Sequence, residues 1–332
     1  MAGVRLVQLD GKLPNLALMK LTHWHHGKGD SVWLSHTVDR PYTEPVPDKT
    51  YGSAIFTASL PKAQRLAQSG ATVGGTGSGD AITAESLIGE PEYEHYDYSM
   101  YPEYRWSLGF SQRGCRLKCG FCVVPKKEGR PKAMNTIPDI WRGDPHARCV
   151  VLLDNDFFGQ PMAEWRARIQ EIRDGGFKAS FNQGLNVRLL SQEQAEALAT
   201  IEYRDADFRR RRLYTAWDNV GDERHFFGGV ERLEKAGVPA EHLMVYMLVG
   251  WAPGETMDRI LYRYRKLKDA GCMPFPMVYG TNPLLKRFQR WVVRRYDEIV
   301  PWEEFKRGKR KHGAAHATLP DGERVNRGRS GE

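Results

Sequence analysis

Cysteine is scarce: there are five in 332 residues, and three of them fall within eight positions. That count excludes a framework of paired disulfides and suits a reducing compartment. No run approaches the roughly 18 apolar residues that a membrane-crossing helix needs. The opening MAGVRLVQLD holds no apolar core of a secretory leader. A soluble, cytoplasmic protein with no membrane partner is therefore expected. Acidic residues are outnumbered, 41 Asp and Glu against 49 Lys and Arg, for a formal net charge of +8. The imbalance favours an anionic partner, either nucleic acid or a nucleotide-like substrate. At 41% hydrophobic and 11% aromatic, the chain is not a disordered one.

A second set of metal-ligating residues is also missing. Cys115, Cys119 and Cys122 form Cys-x-x-x-Cys-x-x-Cys in SQRGCRLKCGFCVVP, and the next cysteine is Cys149. No further Cys-x-x-Cys follows and no histidine pair stands at finger spacing from the cysteines, so a tetrahedral zinc finds no fourth ligand there. Soft thiolates select zinc, copper(I) or iron–sulfur clusters. Three of them can hold three irons of a [4Fe-4S] cube and leave the fourth iron open to a small molecule. A zinc knuckle and three buried thiols are the alternatives. Cys149 and Cys272 read as buried thiols.

With Phe121 directly before its last cysteine, this loop resembles that of the radical S-adenosylmethionine (SAM) superfamily. The resemblance implies a [4Fe-4S] cluster on Cys115, Cys119 and Cys122, with SAM chelated at the open iron. It also implies a flavodoxin- or ferredoxin-like electron donor, reductive cleavage of SAM and hydrogen abstraction by a 5′-deoxyadenosyl radical. The flanks, including Arg113-Gly114, are similar to members that follow a cobalamin-type domain. The loop after the first strand, Asp10-Gly11-Lys12-Leu13-Pro14, lacks the histidine of that domain's Asp-x-His-x-x-Gly motif. His26 with Gly29 fits only part of it, so no histidine-ligated cobalamin is expected.

Strands and helices alternate along the chain: VRLVQLD, LPNLALMKLTHWHHGKG, SVWLS, YGSAIFTAS, KAQRLAQSG and ATVGG. They predict a small Rossmann-like α/β domain over residues 1–88. The glycine-rich GGTGSGD (74–80) reads as a flexible turn, with a phosphate cradle as the weaker reading. Residues 89–105, acidic and rich in tyrosine, read as a linker over a barrel mouth. Six further apolar runs, WSLGF, CVVLLDND, KASFNQ, RLYTAWDN, HLMVYMLVG and MPFPMVYG, are separated by segments of helical spacing. The expectation is a partial (βα)6 TIM-type radical SAM barrel over 106–280; composition alone also allows a full TIM barrel or an open sheet. A helical cap over 281–306 and a basic, disordered tail over 307–332 complete the reading.

Ligands of parallel barrels gather at the C-terminal strand ends. The resemblance puts SAM beside Phe121, the SAM amino group at Asp154 and Asn155, further contacts at Asn182, Gln183 and Arg188, and ribose hydroxyls at Asp218 and Asn219. VGWAPGE (249–255) resembles the adenine-packing motif, Gly250 allowing close approach. Helix capping is the competing role for Asn219 and the expected one for Ser191 and Asp222. Glu255 reads as first-turn helix charge, and Tyr246, Met247 and Met277 as core. RDADFRRRRL (204–213) reads as a solvated loop, or else a phosphate clamp. In LLKRFQRWVVRRYDEIVPWEEF, Arg287, Arg290, Arg294 and Arg295 interleave with Phe288, Trp291 and Tyr296. They would contact nucleic acid, unless the aromatic face is buried as a cap.

The expected function is a radical SAM enzyme acting on a nucleobase-derived group. The chain is similar to bacteriophage members, some of which are isomerases of amino-acid-modified thymine in DNA. A methyltransferase or methylthiotransferase on RNA or a small molecule is a second reading, weakened because methylthiotransferases need three more cysteines. A noncatalytic, zinc-containing nucleic-acid-binding protein is a third.

Overall fold

The computed structural model describes residues 1–305; the tail read as disordered, 307–332, lies outside them. Strand β1 (Gly3–Gln8) leads into helix α1 (Leu16–Gly27), begun by Asn15, whose side chain accepts the Leu18 N–H. Strands β2 (Ser31–Ser35) and β3 (Lys49–Ser53), helix α2 (Leu60–Gln68), strand β4 (Thr72–Gly74) and helix α3 (Ala84–Ile88) follow. The four strands are all parallel, in the order β2-β1-β3-β4. Central β1 is covered on both faces: Val4 and Leu6 meet α1 and α3, and Val7 meets α2 on the face where buried Arg5 is paired with Glu44.

Two local expectations change here. The strand read over 51–59 stops at Ser53, and Thr57–Ser59 turns as a short 3-10 helix. Residues 74–80 pack tightly: a Cβ on Gly75 or Gly77 would stand 2.3 or 2.2 Å from the carbonyl oxygens of Ala54 and Phe56, and no helix opens before Ala84. Residues 89–105, read as a linker, strap α1 to the edge of the next sheet. Tyr93 bonds His23 at 2.6 Å, Glu94 and Glu85 share Lys20 at 2.6 Å each, Asp97 meets His26 at 2.7 Å, and Tyr101 donates to Gln8 at 2.9 Å. Tyr98 accepts the Leu108 N–H at 2.9 Å, reaching the second layer.

That layer begins with β5 (Ser107–Gly109), the hairpin β6 (Gln112–Arg113) and β7 (Lys132–Ala133) enclosing helix α4 (Val124–Lys127), and helix α5 (Ile137–Ile140). It continues β8 (Cys149–Leu152), α6 (Met162–Asp174), β9 (Lys178–Phe181), α7 (Gln192–Ala199), β10 (Glu202–Tyr203) and β11 (Leu213–Ala216). Then come α8 (Glu223–Lys235), β12 (Leu243–Val249), α9 (Met257–Asp269), β13 (Met273–Val278) and α10 (Pro283–Val293). The protein is thus α/β with several parallel sheets: β10-β9-β8-β5 and β11-β12-β13 join the small first sheet. All six strands read from the sequence are present; β10 and the hairpin, at two residues each, are too short to leave a periodic pattern. Between β9 and β11 one backbone bond, Leu185 N–H to the Tyr214 carbonyl at 2.7 Å, replaces ladder pairing, and no closed barrel forms among the described residues.

Alternation sorts the two faces. In β12, Leu243, Val245, Met247 and Val249 are buried in the main core with residues of α8 and α9, whereas Met244, Tyr246 and Leu248 are half-buried on the opposite face. There Tyr246 stacks with Tyr214 at 6.0 Å and meets Phe275 edge-on at 5.8 Å. Met277 is 44% exposed, so of the three residues read as core only Met247 is fully so. In α10, Phe288 and Trp291 are buried against Tyr264 and Trp302. In the 204–213 loop Arg204 and Arg211 pair with Glu202, while Arg209 and Arg210 stay exposed. Among the described residues no helix is long and apolar enough to cross a membrane.

Candidate active site

The three clustered cysteines lie beyond β5 on an irregular loop between β6 and α4. All three are half-buried free thiols, and burial raises the pKa of Cys115 and Cys122, helped by the charge of the neighbouring cysteines. The Leu117 N–H points at the Cys115 sulfur at 3.4 Å. Three consecutive residues just past β8 fasten this loop. Asp154, 3% exposed, accepts the Ser111 N–H at 2.8 Å, the Gln112 N–H at 3.1 Å and the Ser111 hydroxyl. Asn155 donates to Glu128 at 2.8 Å, and Glu128 in turn holds the Gly114 N–H and Arg113, both at 3.0 Å. Asp156, fully buried, takes a bidentate grip from Arg116 at 2.7 and 2.9 Å, and its own N–H reaches the Gln112 side chain at 3.0 Å.

Asp154 and Asn155, read as ligands of the SAM amino group, are hydrogen-bonded to the cysteine loop itself, Asn155 through its side-chain nitrogen alone. Sequence reasoning overlooked Ser111, Gln112, Arg116 and Glu128; the one available signal was Glu128, the only acid in the basic run VVPKKEGRPK.

Burial pushes the Asp154 carboxyl up to about 7 against the three hydrogen bonds that pull it down. A carboxyl raised in the folded state keeps its proton where the unfolded chain has lost it, so stability falls as pH rises from about 4 to about 7. Between pH 5 and 7 the expected loss from this group is roughly 2 kcal/mol. Thermal melts across that range should show a steeper decline for the natural chain than for Asp154→Asn; parallel curves would exclude Asp154 as the titrating group.

The other strand ends contribute unevenly. After β9, Asn182 is half-buried with no side-chain hydrogen bond among the described residues, and Gln183 is exposed. Arg188 pairs with Asp222 at 2.6 Å, and the nearby Cys119 adds to Asp222 in raising the Arg188 pKa against the effect of burial. Asp222 stands at the α8 N-cap position but makes no capping bond there; its carboxylate serves Arg188 instead. Asn186, on the same loop, buries both amide atoms without a partner. After β11, Asp218 accepts the Leu248 N–H at 2.8 Å and burial raises its pKa. Asn219 caps its own turn by accepting the Gly221 N–H, the alternative weighed from sequence, and Ser191 caps α7 with a capping box.

At the end of β12, Gly250 has φ +85°, and a Cβ there would lie 2.5 Å from Leu285 of α10. The close approach that demands glycine comes from α10. Gly250 donates to Glu255, whose other oxygen pairs with the buried Arg263, so Glu255 is a structural partner and not first-turn charge. Phe121 meets Trp251 edge-on at 5.9 Å, and Trp251 meets Tyr279 at 4.8 Å, joining the cysteine loop to the β12 and β13 ends.

The four arginines of the C-terminal region divide. Arg287 stacks on Trp302 at 4.4 Å and Arg295 pairs with Glu298 at 2.8 Å. Arg290 and Arg294 are exposed and make no ion pair among the described residues. Cys149 and Cys272 are buried, the latter thiol pushed up to about 12.

Three thiols on one loop are the donor type that iron–sulfur clusters take, with an N–H aimed at the Cys115 sulfur and the Arg188 guanidinium near Cys119, while the carboxylates Asp156 and Glu128 are turned to Arg116 and Arg113. Among the described residues no three His, Cys, Asp or Glu side chains stand close enough together to hold a metal ion. Compared with known proteins, the chain matches no family model, no curated protein and no solved structure.

Proposed function

We propose that the chain is a radical SAM enzyme that draws hydrogen from a nucleobase-derived substrate, with β5, β8, β9, β11, β12 and β13 as a partial (βα)6 barrel behind the Rossmann-like layer of residues 1–88. The observation that carries the reading is the Cys115/Cys119/Cys122 loop, set between the first and second of six strands that are each followed by helical structure and tied to the end of the second by Asp154, Asn155 and Asp156.

When bound, a [4Fe-4S] cluster with one open iron supplies the electron that splits SAM into methionine and a 5′-deoxyadenosyl radical able to abstract hydrogen. Cys115, Cys119 and Cys122 would hold the three closed irons. Arg188, beside Cys119, offsets thiolate charge and offers a cation to the SAM carboxylate. Asp218 has an acceptor oxygen left after its bond to Leu248, suited to a ribose hydroxyl. Phe121 and Trp251 supply apolar walls. Asp154, Asn155 and Asp156 position the loop without touching the cofactor.

The net positive charge and Arg290 and Arg294, which make no ion pair among the described residues, support a nucleic-acid substrate, and isomerisation of an amino-acid-modified thymine in phage DNA is the specific reaction proposed. The test is oxygen-free purification, reconstitution with iron and sulfide, and assay of 5′-deoxyadenosine from SAM with dithionite. Four irons per chain and deoxyadenosine formation are expected. Zinc in their place, with no SAM cleavage, overturns the reading in favour of a binding protein. No turnover of modified DNA, with SAM cleavage intact, removes the substrate alone.

A further inference from the structure

Strand β13 ends its sheet, and one of its faces is unusual. Phe275, Met277 and Tyr279 alternate onto the same side, and the Tyr279 N–H still pairs with the Val249 carbonyl at 2.9 Å, so the row extends past the strand's last residue. Met277 is 44% and Tyr279 50% exposed. The row spans about 13 Å. At its upper end Tyr279 meets Trp251, itself 38% exposed, and Trp251 meets Phe121, so exposed rings run continuously to the cysteine loop.

At its lower end Phe275 opens into a cavity of about 480 Å³ lined also by Gln289, Arg290, Val293, Arg294 and Tyr296. Lys286, Arg290 and Arg294 lie four residues apart on the exposed side of α10, one row with about 6 Å between successive positions. None of the three makes an ion pair among the described residues; the neighbouring acids Glu298 and Asp297 are already held by Arg295 and by Tyr264 with Lys268. Cations in a row beside exposed rings are what a single strand needs: charge for each phosphate and a flat surface for each base.

We propose that single-stranded DNA lies along this face of β13, phosphates on Lys286, Arg290 and Arg294 and bases on Phe275, Tyr279 and Trp251, so that one base arrives beside the cysteine loop. The choice of DNA rests on the nucleobase reading of the substrate given above. The rings concerned differ from those the sequence suggested: Phe288 and Trp291 are buried in the cap, and the stacking surface is supplied by the strand and the loop beyond β12.

The test is fluorescence anisotropy with the full chain, reconstituted and as purified, and a short fluorescein-labelled oligothymidylate over a range of salt. Arg290→Gln with Arg294→Gln should weaken binding about tenfold or more and flatten the slope of log affinity against log salt by about 1.4, the share of two phosphates on a single strand. Tyr279→Ala should cost about tenfold through lost stacking, with little change in salt slope. Arg209→Gln with Arg210→Gln, an equal loss of charge on the exposed 204–213 loop, should stay within about twofold of the natural chain. Equal weakening by both arginine pairs, tighter binding of the matching oligouridylate, or no binding overturns the path. If DNA binds as expected but no SAM is cleaved, the enzyme reading falls and the path stands. If SAM is cleaved but DNA does not bind, the reverse holds.

Discussion

Replacing any one of Cys115, Cys119 and Cys122 by alanine should leave a chain that folds but, after reconstitution, retains neither the full iron content nor deoxyadenosine formation above the uncatalysed background. Each thiolate would be the sole protein ligand of one iron, so losing one leaves a cube held at two corners. The loop would survive the change, because its fastenings lie elsewhere: Asp154 to Ser111 and Gln112, Glu128 to Gly114 and Arg113, Asp156 to Arg116. Cys149→Ala and Cys272→Ala serve as controls, since these buried thiols lie apart from the loop and should cost only packing. Iron analysis, the visible absorbance of the reconstituted protein and chromatographic assay of deoxyadenosine read the outcome. A single-cysteine variant that keeps four irons and full SAM cleavage would sink the proposed ligand set.

Arg263 carries the largest stability effect expected of a single side chain. It rises from α9 into the core with no exposed surface, donating to the Trp217 carbonyl and the Leu248 carbonyl at 2.9 Å each and pairing with Glu255, whose side chain is 8% exposed. Glu255 in turn holds the Gly250 N–H at 2.7 Å, so one guanidinium ties the ends of β11 and β12 and the following loop together. Arg263→Leu would leave a buried carboxylate without its counter-charge and two carbonyls without a donor. The expected loss is about 3–5 kcal/mol, because breaking a buried pair strands the remaining charge. Removing both charges in Arg263→Leu with Glu255→Gln should recover part of it, since no unpaired ion then remains. Chemical denaturation measures both; a loss under about 1 kcal/mol in the single variant would mean that water reaches Glu255 in the folded state.

How far the site could be read beforehand differs from residue to residue. The cysteine spacing was legible because thiols that share one loop must be close in sequence. Strand ends were legible too, so Asp154, Asn155, Asp218 and Gly250 were singled out. Their tasks were not. Asp154 is bonded to residues 42 and 43 positions earlier, and Asn155 to one 27 positions earlier. Gly250 looked free to admit a cofactor, yet Leu285 fills the space beside it. Arg287, Arg290, Arg294 and Arg295 looked alike in the sequence, and only the positions of Trp302, Glu298 and the β13 face separate them.

The sequence by itself determined the alternating strands and helices, the placement of a three-cysteine loop after a strand, and the basic balance of charge. These follow from hydrophobic periods of two and 3.6 residues, from ligand spacing and from composition, all of which are local or summed properties. Tertiary structure alone decided that the acids just past β8 hold the cysteine loop, that Glu255 answers a buried arginine, and that an exposed aromatic row on β13 leads to Phe121. Each of these joins residues dozens of positions apart. Their meeting depends on how strands pair and which face each turns outward, and a hydrogen bond or a ring contact forms only once that pairing has brought its partners within a few ångströms.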